Sequence, residues 1–213
     1  MRSQTPIRLG VAVAVGITGI ALTSAVLSAQ AQPDPSGSEA LVSERIVATT
    51  ANLAAGSNVE LRVELKRWST EDERADILSA AREGPEALQQ ALRDTDTLGL
   101  AFTGDSAVGY FIRYAFRQEL PGGGHRVVLA TEPRLGSRLA RPWRAAADGP
   151  DYPFSVIELR LDRNGRGTGS MSFAAQVVVD EPAGTVGLQG FDTAPVLLNG
   201  ATMEQVGGSG RTY

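Results

Sequence analysis

Alternation of apolar and polar residues dominates this chain between Ile46 and Leu198. Val59, Leu61, Val63 and Leu65 take turns with Glu60, Arg62, Glu64 and Lys66, the period of a strand with one buried face. Val108, Tyr110, Ile112, Tyr114 and Phe116 repeat that period, with Arg113 and Arg117 opposite them. Leu120-Pro121-Gly122-Gly123-Gly124 reads as a turn, after which His125–Thr131 returns as a partner strand. Ile157, Leu159 and Leu161 alternate with Glu158, Arg160 and Asp162, and Asn164-Gly165 predicts a hairpin with two positive-φ residues. Met171, Phe173, Ala175, Val177 and Val179 read as one strand, which Glu181-Pro182-Ala183-Gly184 turns into Val186–Phe191. Ile46–Thr49, Leu98–Thr103 and Ala194–Leu198 bring the expectation to about nine strands.

One segment has a different period. Ser69-Thr70-Glu71-Asp72-Glu73 supplies a helix cap with acids in the first turn. Ile77, Leu78 and Ala81 then line a helical face until Gly84, and Pro85 opens a second helix carrying Leu88, Ala91 and Leu92. The predicted fold class is mainly β (α+β). It is an antiparallel β-barrel or strongly curved sheet of about nine strands, with a helical pair near residues 70–94. A β-sandwich is the alternative that periodicity leaves open.

The ends of the chain change this picture. Arg2 and Arg8 precede the apolar run Val11–Leu27, and Ala29-Gln30-Ala31 offers the small residues of a cleavage site. That order is a secretory signal peptide's. The expected organisation is a signal peptide over 1–31, a linker over 32–40, a single β-rich domain over 41–203 and a flexible tail over 204–213. The expected location is periplasmic or extracellular in a bacterium, with no membrane span after signal cleavage. With 213 residues, 42% of them apolar, there is enough chain for one proper core.

Composition narrows the chemistry. No cysteine is present, which excludes disulfides, thiol nucleophiles and sulfur-ligated zinc, and a single histidine excludes a histidine-rich metal site. Residues 32–213 carry 18 basic against 24 acidic side chains, a net charge of −6. An acidic domain of this kind is not expected to bind nucleic acid. His125 follows three glycines and is expected to be an exposed turn residue, and no Gly-x-Ser-x-Gly elbow accompanies it. Asp162–Gly167 fails as a calcium loop because Arg166 stands where an oxygen ligand is needed. Glu158 and Asp162 are expected to face solvent. No catalytic residue, metal or cofactor is predicted.

Two features point to binding. Tyr110, Tyr114 and Phe116 concentrate aromatic area on what reads, with Ile112, as one strand face, suited to lining a cavity. Arg134, Arg138, Arg141 and Arg144 accompany Trp143 in an acid-free stretch from Pro133 to Ala147, suited to an anionic head group. Together they predict a non-enzymatic binder of a small apolar or amphiphilic ligand, with Tyr110, Tyr114, Phe116, Arg138, Arg141 and Trp143 as ligand contacts. The alternatives are a hydrolase whose acids converge in a cavity and a protein-interaction module of the cell envelope using an exposed sheet edge.

Three runs carry a resemblance: Val63-Glu64-Leu65-Lys66-Arg67-Trp68-Ser69-Thr70, Arg126-Val127-Val128-Leu129-Ala130-Thr131-Glu132-Pro133 and Asp151-Tyr152-Pro153-Phe154-Ser155-Val156-Ile157-Glu158-Leu159-Arg160-Leu161. They resemble a family of exported bacterial proteins known mainly as open reading frames. The resemblance covers about Ile46 to Leu198 and implies export and a single domain. It brings no activity and no site residue.

Overall fold

The computed structural model describes residues 43–54, 58–104, 106–189 and 195–206. The expected signal peptide, linker and most of the expected tail fall on residues 1–42 and 207–213, which lie outside the described residues. Among the described residues, ten strands and two helices follow in chain order: β1 (Glu44–Ala51), β2 (Glu60–Leu65), α1 (Glu71–Glu83), α2 (Pro85–Asp94), β3 (Gly99–Thr103), β4 (Tyr110–Leu120), β5 (Gly124–Thr131), β6 (Ser155–Leu161), β7 (Arg166–Met171), β8 (Gln176–Asp180), β9 (Thr185–Gln189) and β10 (Val196–Gln205). Eight strands close an antiparallel barrel in the order β1-β10-β7-β6-β5-β4-β3-β2, while β8 and β9 pair only with each other. The barrel with its helical pair is the predicted fold, and the sandwich alternative falls away.

An eight-stranded barrel encloses a space that side chains can fill. Here Ile46, Val63, Ile112, Leu129, Ile157 and Leu198 occupy it, each nearly inaccessible to solvent. Arg45, Glu60, Arg62 and Glu64 alternate with buried partners along β1 and β2. Apolar-in and charged-out is the inverse of the alternation that a lipid-facing barrel needs.

A second core lies outside the barrel. Tyr114, Phe116, Val128, Ala130 and Val156, on β4, β5 and β6, pack against Ile77 of α1, Leu88 and Leu92 of α2 and Val186 of β9. The helices that supply this layer have strong ends. Thr70 Oγ1 accepts from the Glu73 backbone N–H while the Glu73 carboxylate accepts from the Thr70 N–H, a reciprocal cap. Gly84, at φ 130°, ends α1 and admits Pro85 as the first residue of α2.

Four details differ from expectation. The register of β4 against β5 slips between Ile112 and Tyr114, leaving Arg113 as an extra residue. Such a bulge reverses the side-chain alternation. Tyr110 and Ile112 therefore face the barrel interior, and Tyr114 and Phe116 face the outer layer, so the four do not share one face. Met171 to Val179 is two strands rather than one, because Ser172–Ala175 interrupts it with Ala174 at φ 59° and sends β8 to a separate sheet. In the β6–β7 turn only Gly165 has positive φ, and the Asp162 carboxylate braces the turn by accepting from the N–H groups of Asn164 and Arg166. Finally, β10 runs to Gln205, two residues into the expected tail.

Candidate functional site

The connection from β5 to β6, residues 132–154, crosses one end of the barrel, here the loop end. Leu135 and Trp143 descend from it and join Leu53 and Phe173 in the barrel core. Trp143 lies across Gly136, where φ is 68° and an added Cβ would collide with the indole. Backbone bonds hold the loop in place: Ala54 N–H to Arg144 O and Ala146 N–H to Asn52 O, both 2.9 Å. The Leu135 N–H donates to Ser155 Oγ at 3.0 Å.

The arginines of this loop take separate roles. Arg134 places its guanidinium 5.4 Å from the Phe173 ring centroid and pairs with Asp151. Burial and the neighbouring Arg144 charge both push the Arg134 pKa down. Arg138 donates its backbone N–H to Tyr110 Oη at 3.3 Å and holds its guanidinium 5.7 Å from that ring. Arg141 is exposed on the same loop. Leu135 and Trp143 thus plug this end, and an open cleft lies beside the plug, lined by residues of the 144–151 stretch, Arg144 and Asp148 among them, on one wall and by Phe173 and Ala174 on the other. The side chains of Arg144 and Asp148 are exposed and make no hydrogen bond or ion pair among the described residues.

Of the residues predicted to meet ligand, Tyr110, Arg138 and Trp143 therefore converge at the loop end, with Arg141 on the same loop. Tyr114 and Phe116 do not join them. Tyr114 Oη lies 2.7 Å from Thr185 Oγ1, and its phenol pKa is raised by burial. Phe116 is roofed by the Arg74 guanidinium at 4.5 Å. Phe173 and Asp148 escaped the sequence reading, Phe173 because it passed for a strand residue.

The opposite end, here the turn end, closes by polar groups. Glu44 is 5% exposed, and its Oε1 accepts from Arg117 Nη1 at 3.0 Å and from Trp68 Nε1 at 3.4 Å. Arg117 also lies 4.9 Å above the Trp68 ring. His125 is not an exposed turn residue: it belongs to β5, opposite Glu119 and Leu161, and is half-buried with Nδ1 inaccessible and unpartnered among the described residues.

Glu158 also departs from expectation. It does point away from the barrel core, but the β8–β9 hairpin covers it, leaving it 9% exposed. Arg126 grips both its oxygens, at 2.9 and 3.0 Å, and also pairs with Asp180. The Leu188 N–H donates to Glu158 Oε2, and Gly187 leaves room for the guanidinium. Asp180 is held below the usual carboxylate range by its hydrogen bond from Arg126. Asp162 is exposed, as expected.

No set of three or more His, Cys, Asp or Glu among the described residues is arranged to hold a metal ion. No helix among them is long and apolar enough to cross a membrane. Compared with known proteins, the chain matches no family model, no curated protein and no solved structure.

Proposed function

We propose that this is an exported, non-enzymatic binding protein that takes a small amphiphilic ligand at the loop end, beside the plug rather than inside the barrel. The observation that carries this reading is the cleft itself, which the unpaired Arg144 and the aromatic Phe173 both line. An anionic head group meets Arg144 there, while a short apolar body lies against Phe173, Pro150 and Ala145. The barrel interior is already filled by its own side chains, so a buried ligand would have to displace core residues.

The hydrolase alternative has less support. Glu44 and Glu158 are the buried acids among the described residues, and each is held by an arginine. They sit on opposite sides of the barrel wall and form no acid pair. The interaction-module alternative rests on a different surface. Phe111 of β4 and Val108 just before it are exposed, with Leu100 paired opposite Phe111 on β3 and Phe102 near Gly109.

Thermal unfolding with decanoate and decanol tests the reading. Decanoate should raise the melting temperature progressively with concentration, because only the folded state binds. Decanol should shift it less, and Arg144→Ala should remove the difference. If neither compound shifts the wild-type transition, a fatty-acid-like amphiphile is not the ligand of this cleft.

A further inference from the structure

The cleft carries a second unpaired charge, and this restricts what can bind. Arg144 and Asp148 line the same wall, have opposite signs and form no ion pair with each other. Next to them Arg134 and Asp151 neutralise each other. The four charges sum to zero. A simple carboxylate is drawn to Arg144 but repelled by Asp148, and a simple amine meets the reverse. Only a ligand carrying both signs gains at both positions, because each charge then meets its opposite near a low-dielectric aromatic wall.

Resting on the cleft reading above, we infer that the ligand is a zwitterion of the amino-acid or short-peptide class, with its carboxylate on Arg144, its ammonium on Asp148 and an apolar side chain on Phe173. Phe173 is 5% exposed and locked between Trp143, at a centroid distance of 6.4 Å, and the Arg134 guanidinium. Little of this ring reaches the cleft, so it holds the cleft wall in place and leaves the two charges to carry the selectivity. Gly149 meets Ala174 so closely that an added Cβ would overlap it, which sets the two walls of the cleft at a fixed separation. Neither Arg144 nor Asp148 gives up a protein partner when the ligand arrives. No bond is made or broken, and the site needs no cofactor.

The test compares three probes that share one side chain: leucine, 4-methylpentanoate, which lacks the ammonium, and isoamylamine, which lacks the carboxylate. Titration calorimetry on the purified protein should find leucine, or a leucyl-leucine dipeptide, at least tenfold tighter than either single-charge probe. Asp148→Asn should bring leucine down to the affinity of 4-methylpentanoate, while Arg144→Ala should lose both. These are exposed loop side chains, so the fold survives their replacement. If 4-methylpentanoate binds as tightly as leucine, the zwitterion inference is overturned and the amphiphile reading stands. If neither these probes nor decanoate binds, both are overturned.

Discussion

The two ends of this barrel solve one problem with opposite materials. At the loop end a long connection folds inward, and Leu53, Leu135, Trp143 and Phe173 complete the core. At the turn end Glu44, Arg117 and Trp68 close the cylinder by a charge pair with an indole beneath it. Apolar closure stabilises roughly in proportion to the area it removes from water. Closure by an ion pair returns little net energy, because desolvation offsets attraction, yet it is costly to half-remove. The loop end should therefore carry most of the closing energy, and the turn end should respond to charge. Each end holds one of the protein's two tryptophans, so the comparison can be read separately at each.

The largest effect is expected at the loop end. Trp143→Ala removes an indole packed on Gly136 and Phe173 and should cost about 3–5 kcal/mol in denaturant unfolding. A cost below about 1 kcal/mol would mean that the loop is a cover and not part of the core. At the turn end the expected loss is smaller. Arg117→Met leaves the buried Glu44 carboxylate without its cation and should cost about 1–3 kcal/mol. The double variant Glu44→Leu with Arg117→Leu should recover most of that loss, since an apolar pair needs no charge solvation. If the double variant is instead the worse of the two, the ion pair contributes net stability and the contrast between the ends fails.

What the sequence displays and what it hides follow the same division. Strand alternation along β2 and β6, the Thr70–Glu73 cap and the Gly84-Pro85 break are local signals, and each appears in the structure where its residues stand. The bulge at Arg113 is not local. It exists because β4 serves the barrel core with Tyr110 and Ile112 and the outer layer with Tyr114 and Phe116, which one uninterrupted alternation cannot do. A hint of that outer layer was present in Val127-Val128-Leu129-Ala130, a run apolar on both faces, as a strand covered on both sides must be. Reading it so would have placed Glu158 under a second layer rather than in water. The cleft was half legible. The Pro133–Ala147 arginines marked the loop, but Phe173 reaches it only through folding, and it carries no spacing that betrays this.

The smallest expected effect is also the most selective. Glu73 accepts from both Arg67 Nη atoms, at 2.8 and 2.7 Å, and from the Thr70 N–H, while Arg67 also donates to Trp68 O at 3.2 Å. The carboxylate thus ties the segment carrying Trp68 to the start of α1. The Arg67 hydrogen bond, joined by that from Thr70 and outweighing burial, lowers the Glu73 pKa from 4.5 to about 2. The folded state therefore binds fewer protons than the unfolded one in this range. The stabilisation is complete above about pH 4.5 and drains away as pH falls toward 2. Nothing equivalent holds Trp143, whose neighbours are Gly136, Phe173 and aliphatic side chains, and the nearby Asp151 carboxylate is 72% exposed outside the plug. Trp143→Phe and Trp68→Phe each leave one tryptophan to report. On acidification from pH 6 the emission of Trp68 should shift to the red at a higher pH than that of Trp143. Superimposable shifts would show that the two ends unfold as one cooperative unit, and the charge at the turn end would then carry no separate role.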